Sequence, residues 1–325
     1  MSNRPRVLIT EAMDPIGAEI LRSEAEVIEL YARPGETIEQ YLPEIDGIVV
    51  RIAKVTAERI AMAPRLRVIG KHGIGVDNID VAAATKHGVI VTFTPGSNSE
   101  AVAEHSLLLI LMLARKVEAL TAFVRAGQFN DGRNAAPGFD LLGKTLGLVG
   151  MGRIGGRLAE IARMAFSMRV IAFDPYAQPA RAAELGVELV ATLDEVLNES
   201  DVISVHAPLT AETHNIIGRD QLRKMKSSAL LVNCARGGLV DEAALADELQ
   251  RGTIGGAGID VFDIEPPPAS HPLFGLPNAI VTPHIAGASS EALNATARMV
   301  AEETLRVLRG EPGRHAINPQ ALQKA

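Results

Sequence analysis

Two side chains near the C-terminal end of the sequence have the types needed to move a proton. His284 lies in the stretch IVTPHIAG and Glu265 in GIDVFDIEPPP, each following an apolar run that predicts a strand. Both therefore fall at the carboxyl ends of successive strands, the edge where ligands bind in open α/β sheets. A carboxylate on one ring nitrogen fixes the tautomer of a histidine and leaves the other nitrogen free to exchange a proton. The pair predicts an acid/base device.

Other interpretations of these two residues are open when each is taken alone. His284 by itself is better explained as a structural residue, and Glu265 as a surface acid. A zinc site at His284 needs further ligands, and no regular spacing of histidine, cysteine or carboxylates supplies them. The sequence therefore predicts no metal site.

A third candidate is Arg236, in the stretch LLVNCARGGLVDEAAL. An arginine so close to a buried strand needs a carboxylate or phosphate partner, because its guanidinium keeps its charge and unpaired burial is costly. A substrate anion and an ion pair within the domain both meet that need. Cys234, two residues earlier, fits a small buried apolar residue better than a nucleophile.

A glycine-rich turn predicts a dinucleotide site. In LGLVGMGRIGG, Gly150, Gly152 and Gly155 have the G-x-G-x-x-G spacing, after an apolar strand and at the start of a helix. These glycines allow a tight turn, close approach of a pyrophosphate, and packing of helix on strand. Asp174 ends the next strand about 20 residues later, where an acid binds an adenosine ribose and disfavours a 2′-phosphate. The alternative is a plain turn with Asp174 as a helix cap.

Three further features could contact ligands. In GKHGIGVDNID, the turn Gly73–Ile74–Gly75 exposes N–H groups that could hold an anion, although it could equally be a simple turn. Arg51 closes a predicted strand and could meet a polar substrate tail, or be a surface arginine. His206 ends another strand and could line a nicotinamide pocket. The remaining histidines have no recognisable partner and are interpreted as structural or surface residues: His72, His87, His105, His214, His271 and His315.

The elements that position these residues alternate strand and helix. RVLIT, GIVVR and LRVIGK are β-branched runs separated by helical patterns around residues 16–24 and 57–62. A second alternation starts at KTLGLVG and ends at NAIVTPH, with six apolar runs. This rhythm is typical of parallel strands joined by crossover helices, and it predicts two doubly wound α/β sheets. A long amphipathic helix follows Gly287.

Size and composition limit the classes of function. A chain of 325 residues suits two domains, and its net charge of -7 argues against a broad basic face for nucleic acid or anionic lipid. The longest apolar helix candidate, AVAEHSLLLILMLARKV, has too short an uninterrupted run to span a membrane. One cysteine and an N-terminal stretch without an apolar signal region favour a reducing compartment, and we expect a cytoplasmic protein.

The motifs of this chain, taken in order, resemble those of the D-isomer-specific 2-hydroxyacid dehydrogenases. They are KHGIGVDNID, GKTLGLVGMGRIG, FDP, VHAPLT, LVNCARGGLVDEAAL, GIDVFDIEPP and TPHIAG. Within them, the chain is most similar to the D-3-phosphoglycerate dehydrogenase and hydroxypyruvate reductase branch. The resemblance implies a Rossmann NAD-binding domain over residues 98–287, inserted into a flavodoxin-like substrate domain formed by residues 1–97 and 288–325. It also implies a homodimer built through the NAD-binding domain.

The resemblance assigns roles to individual residues. It implies catalysis by Arg236, Glu265 and His284. It implies NAD contacts at the following residues, Asp260 holding the nicotinamide carboxamide: Gly150, Gly152, Arg153, Ile154, Gly155, Asp174, His206, Ala207, Pro208, Cys234, Ala235, Asp260 and Gly287. It implies substrate contacts at Arg51, Gly73, Ile74, Gly75 and Arg236.

The implied reaction is hydride transfer between NAD and C2 of a small D-2-hydroxy or 2-oxo acid, of the 3-phosphoglycerate, hydroxypyruvate or glyoxylate class. Formate dehydrogenases of this fold carry glutamine where Glu265 stands, and phosphite-oxidising relatives carry lysine where Ile74 stands, so neither activity is expected. A different class is also open, because some relatives act as NADH-sensing corepressors that bind protein partners.

Overall fold

The chain forms two compact units in the computed structural model, which describes residues 4–135 and 137–324. Unit 1 contains the chain up to Asn98 and from Ala288 onward, and unit 2 is Ser99–Gly287. The chain therefore leaves unit 1 once, forms the whole of unit 2, and returns.

Unit 1 is built on a five-stranded parallel sheet. Its strands, β1 to β5, are Arg6–Ile9, Glu26–Glu29, Gly47–Val50, Val68–Lys71 and Ile90–Thr92. Their order is β2-β1-β3-β4-β5, the flavodoxin-like order. Helices α1 (Pro15–Glu24), α2 (Ala57–Ala61) and α3 (Val81–Lys86) lie between strands, with short 3-10 turns at Leu30–Ala32, Ile38–Gln40 and Leu42–Glu44. The four-residue strand β2 was missed in the sequence, where two glutamates flank only two apolar residues.

Unit 2 is built on a seven-stranded parallel sheet. Its strands, β6 to β12, are Thr145–Val149, Arg169–Phe173, Glu188–Leu189, Val202–Val205, Leu230–Asn233, Gly256–Ile259 and Ala279–Val281. The order is β12-β11-β10-β9-β6-β7-β8, so the chain adds β7 and β8 on one side of β6 and β9 to β12 on the other, as in a Rossmann fold. The prediction of six strands was wrong by one, because β8 is two residues long and has no apolar run of its own.

The helices of unit 2 begin before its first strand and continue between the later strands. They are α4 to α11, with the following bounds: Ser99–Ala114, Val117–Arg125, Phe129–Asn134, Arg153–Phe166, Pro179–Leu185, Leu193–Glu199, Arg219–Leu222 and Glu242–Arg251. The last long helix, α12 (Ser290–Leu308), belongs to unit 1 and packs against α1. Its N-cap Ser289 accepts a hydrogen bond from the amide of Ala292. A 3-10 turn follows at Pro319–Lys324.

Each sheet is covered by apolar side chains on both faces. In β1, Leu8 belongs to one cluster of unit 1, whereas Val7 and Ile9 belong to the cluster on the opposite face with α1 and α12. Unit 2 also has two clusters, one on each side of its sheet. Doubly covered parallel strands read as continuous apolar runs, which explains why the sequence pattern identified most of them.

Within the part of the chain that the structure describes, none of the helices combines the length and apolar character needed to cross a lipid bilayer.

Candidate active site

Glu265 and His284 are brought into direct contact by two neighbouring strands. β11 and β12 run parallel with Ile259 opposite Val281, so the loops after them leave the same edge of the sheet. The Nδ1 atom of His284 lies 2.7 Å from Oε2 of Glu265. Since Nδ1 is engaged by the carboxylate, Nε2 is the ring nitrogen available for exchange with a ligand. Both side chains are partly exposed, 51% for His284 and 37% for Glu265, which leaves the pair accessible.

The backbone of His284 has a left-handed conformation that must be held in place. Its φ is 53°, in a region that costs a residue with a side chain on the order of 1–3 kcal/mol. The amide of His284 donates to the carbonyl of Asp260 at 2.8 Å. The Asp260 carboxylate, which is fully buried, accepts from the amides of Ile285 at 2.9 Å and Ala286 at 2.8 Å. Asp260 therefore fixes the turn that presents the imidazole.

A second histidine completes this support. The hydroxyl of Thr282 donates its single proton to Asp260 at 2.5 Å. The Nε2 atom of His105, on α4, lies 3.1 Å from the same hydroxyl oxygen. Because the hydroxyl proton is already donated to Asp260, Nε2 of His105 must be the donor in this contact. His105 thus carries a proton on Nε2. No sequence pattern indicated this partner, because it lies 177 positions away.

Arg236 follows β10 in a loop whose conformation is held by the buried side-chain amide of Asn233. Asn233 accepts from the amide of Ala235 at 3.0 Å and donates to the carbonyl of Arg236 at 2.8 Å. The guanidinium of Arg236, which is half-buried, also donates to the carbonyl of Ala235 at 2.7 Å. At Gly237 a Cβ would overlap the backbone of Phe262, so glycine allows this loop to touch the loop that carries Glu265.

The glycine turn after β6 has the close contacts expected of a dinucleotide cradle. Gly150 has a φ of 93°, and a Cβ there would lie 2.9 Å from the backbone of His206 and Ala207. At Gly155, a Cβ would lie 2.5 Å from the carbonyl oxygen of Gly150. By contrast, a Cβ on Gly152 would meet nothing within 4 Å, which leaves space above the N-terminus of α7 for a pyrophosphate.

Asp174 lies directly after β7 and bonds to this turn. Its Oδ2 accepts from the amide of Met151 at 2.8 Å, and its Oδ1 accepts from the amide of Tyr176 at 2.9 Å. A carboxylate oxygen has two acceptor positions, so each can still accept a ribose hydroxyl. The turn, the open helix N-terminus and the acid together fit a nicotinamide dinucleotide.

The other predicted cofactor residues lie around this edge of the unit 2 sheet. Arg153 and Ile154 begin α7, Pro208 is exposed after β9, and Gly287 is the last residue of unit 2. His206 is bonded through Nε2 to Ser204 at 2.9 Å, and burial lowers its pKa to about 4, so the ring is neutral at pH 7. Burial raises the pKa of Cys234 to about 12, which keeps its thiol protonated and unreactive.

The predicted substrate residues of unit 1 lie after β3 and β4. Arg51 is exposed, and its loop is held by Glu11, whose carboxylate accepts from the amides of Arg51 at 2.8 Å and Ile52 at 3.1 Å. The amide of Gly73 already donates to Lys71 and to Thr94. An anion bound at this turn would therefore use the amides of Ile74 and Gly75.

Metal ligation has no support in residues 4–135 and 137–324, where no group of three or more histidine, cysteine or acidic side chains could hold an ion.

Comparison with known proteins identifies the family. Residues 107–286 match the model of the D-isomer specific 2-hydroxyacid dehydrogenase NAD-binding domain. A glyoxylate reductase of Korarchaeum cryptofilum is 39% identical over 327 residues, which cover 98% of both chains. The chain belongs to the D-isomer specific 2-hydroxyacid dehydrogenase family. The resemblance read from the motifs is thereby confirmed, and so is the fold class.

Two further proteins are similar to this chain along most of its length. A D-3-phosphoglycerate dehydrogenase of Methanocaldococcus jannaschii is 43% identical over 96% of this chain. This chain spans 59% of that relative's length. The structure of an NADPH-dependent glyoxylate/hydroxypyruvate reductase from Sinorhizobium meliloti, in complex with NADP and malonate, superposes with a TM-score of 0.86 at 29% identity, covering 98% of each chain.

Proposed function

We propose that this protein is an NAD-dependent dehydrogenase that interconverts a small D-2-hydroxy acid and the corresponding 2-oxo acid. The observation that carries the proposal is the 2.7 Å contact between His284 and Glu265, at the same edge of the sheet as the glycine turn of β6. An imidazole oriented by a carboxylate beside a dinucleotide cradle suits a reaction that moves a proton and a hydride together.

The chain's own residues would perform the proton transfer. A bound nicotinamide supplies the hydride in reduction and accepts it in oxidation. The Nε2 atom of His284 donates a proton to the forming alkoxide in reduction and removes the hydroxyl proton in oxidation. Glu265 fixes the tautomer and stabilises the protonated ring, and Arg236 orients the carboxylate and carbonyl of the acid.

Further substrate contacts are proposed in unit 1. We assign the acid's carboxylate to Arg236. Within unit 1, we propose substrate contacts at the amides of Ile74 and Gly75, with Gly73 shaping the turn. Arg51 is assigned to the far end of the substrate, since its backbone is fixed and its side chain is exposed. 3-Phosphoglycerate, hydroxypyruvate and glyoxylate remain the candidate substrate classes.

For the cofactor, we propose NAD rather than NADP as the preferred dinucleotide. The charge of Asp174 would repel a 2′-phosphate, whereas its free acceptor positions suit a ribose hydroxyl. We assign the remaining contacts as the resemblance does, to Gly150, Gly152, Arg153, Ile154 and Gly155 at the turn and to the following residues along the sheet edge: His206, Ala207, Pro208, Cys234, Ala235, Asp260 and Gly287.

We also propose a cytoplasmic homodimer formed through unit 2. Several large apolar side chains of α4 to α6 are exposed, as expected for a surface that a second copy covers. They are Leu108, Val117, Val124 and Phe129. A buried, protonated thiol at the single cysteine is compatible with a reducing compartment.

The test is an assay of NADH loss at neutral pH against hydroxypyruvate, glyoxylate, pyruvate, oxaloacetate and 3-phosphohydroxypyruvate. We expect one acid to react, and His284→Ala to abolish that turnover while NADH binding, measured by fluorescence, is largely retained. Full activity of His284→Ala would refute the catalytic assignment. If every acid were inert while NADH bound, the NADH-sensing alternative would replace the dehydrogenase proposal, and a partner pulldown would follow.

A further inference from the structure

A hydrogen-bonded pair, Glu242 with the buried His271, lies beneath the loop that carries Glu265. Glu242 is the first residue of α11, where a negative charge is favoured by the exposed N–H groups of the helix. Its Oε1 accepts from the amide of Asp263 at 2.8 Å, and its Oε2 lies 2.9 Å from Nε2 of His271. One carboxylate therefore joins a helix end, a buried imidazole and the backbone of the loop.

The protonation of His271 follows from its other contacts. Its Nδ1 faces the amide of Leu273 at 3.5 Å, a long contact in which the ring nitrogen can only accept. Nε2 therefore carries the proton and donates it to Glu242. The ring packs edge-on against Phe262, with centroids 5.2 Å apart, and lies tilted against Phe274, with centroids 5.1 Å apart. His271 is 9% exposed, so this orientation is fixed by its surroundings.

The pair acts on the loop at two adjacent residues. Asp263 is held through its amide by Glu242, and Phe262 through its ring by His271. The amide of Phe262 in turn donates to Oε1 of Glu265 at 3.1 Å, and Oε2 of Glu265 engages His284. The backbone of Phe262 also abuts Gly237, next to Arg236. The loop that carries Glu265 and the loop that carries Arg236 thus meet at Phe262, which Glu242 and His271 help to hold.

We infer that Glu242 and His271 are positioning residues for catalysis, because together they hold the 262–263 backbone that orients Glu265 toward His284. The inference rests on the proposed function of Glu265 and His284. Displacing reacting groups by an ångström can lower a rate by about a hundredfold, so loss of the pair should be visible in kcat.

The kinetic test compares two substitutions of similar size at His271. His271→Gln keeps a donor where Nε2 lies, whereas His271→Leu does not. We expect His271→Leu to lower kcat by at least about tenfold with the KM for NADH nearly unchanged, and His271→Gln to restore most of that loss. In Glu242→Gln, a single amide oxygen replaces the two carboxylate oxygens that accept from Asp263 and His271. This variant should therefore show a loss of kcat similar to that of His271→Leu.

A control on the same helix separates positioning from stability. Glu248 is buried, and its carboxylate is paired with Arg219 and Arg223 rather than with the 260–265 loop. Glu248→Gln should lower the melting temperature but leave kcat unchanged. Equal kcat in His271→Leu and wild type, or an equal loss in His271→Leu and His271→Gln, would overturn the inference.

A readout independent of turnover distinguishes this inference from the proposed function. Amide hydrogen exchange at Phe262 and Asp263 should accelerate in Glu242→Gln and stay at the wild-type rate in Glu248→Gln. If the wild-type protein reduced none of the acids but the two variants showed this exchange pattern, the proposed function would fail while the structural support of the loop stood. Unchanged exchange in Glu242→Gln would refute the support itself.

Discussion

The backbone carbonyl of Asp260 accepts the amide of His284 at 2.8 Å, while the carboxylate of Asp260 binds the next two amides of the same turn. One buried residue at the end of β11 thus holds the left-handed conformation of the proposed proton carrier at the end of β12. The family resemblance assigns Asp260 to the nicotinamide. These hydrogen bonds give the same aspartate a structural role as well, independent of any contact with the cofactor.

Asp260→Asn should disrupt this turn. The carboxylate accepts three hydrogen bonds, from Thr282, Ile285 and Ala286, and the single oxygen of asparagine cannot satisfy them all. Leaving a buried donor unpaired costs about 1–3 kcal/mol, so unit 2 should lose stability by that amount and kcat should fall. Urea unfolding and steady-state kinetics would measure both. Asp263→Asn, on the exposed part of the loop, serves as the control; equal stability of the two variants would contradict this account.

Glu265→Gln tests the charge of the acid/base pair without removing its hydrogen bond. Glutamine can still accept from Nδ1 of His284, although its NH2 group then faces the amide of Phe262, and it no longer stabilises the protonated ring. We expect kcat for 2-oxo acid reduction to fall by about a hundredfold, in the range of general acid/base contributions. NADH binding should persist, since Glu265 is not assigned to the cofactor. Retention of wild-type kcat would show that the carboxylate charge is unnecessary.

Asp174→Ala should weaken discrimination between the two dinucleotides. Without the carboxylate, a 2′-phosphate is no longer repelled, and the ratio of kcat/KM for NADH over NADPH should drop by at least about tenfold. The value for NADH should fall as well, because the amide of Met151 loses its partner. Parallel assays with both cofactors give the ratio, and Asp194→Ala, at an exposed position of α9 in the same unit, is the control. An unchanged ratio would exclude Asp174 as the source of selectivity.

His72 should make unit 1 less stable in acid. Burial, reinforced by the charge of Arg51, lowers the pKa of His72 from 6.5 to about 4. The unfolded chain therefore binds a proton that the folded chain does not. The contribution of His72 to the free energy of unfolding is therefore present above pH 6.5 and declines as pH falls toward 4. The free energy of unfolding should decrease by about 2 kcal/mol by pH 5.

His72→Leu removes this titration. Compared with wild type, its free energy of unfolding should change less between pH 7 and pH 5. Hydrogen exchange of the β3 and β4 amides reports unit 1 separately and would provide the comparison. Parallel pH dependences in the two proteins would show that His72 does not titrate on unfolding.

The sequence by itself determined most of the elements and the main residues of the proposed site. Doubly buried parallel strands give continuous apolar runs, and the glycine spacing with Asp174 marks a dinucleotide turn, because both signals are local. Glu265 and His284 could be paired from sequence alone, since each follows one of two neighbouring strands. The short strands Glu26–Glu29 and Glu188–Leu189 escaped detection, because backbone pairing rather than an apolar pattern defines them.

Only the tertiary structure decided how the site is supported. His105 meets Thr282 across 177 positions, and Glu242 meets His271 across 29, and no spacing rule connects either pair. The sequence had left both histidines without partners. Hydrogen-bond geometry between distant segments also fixes which nitrogen of each ring carries the proton. Such contacts depend on how loops are brought together at the sheet edge, a three-dimensional relationship that local patterns do not encode.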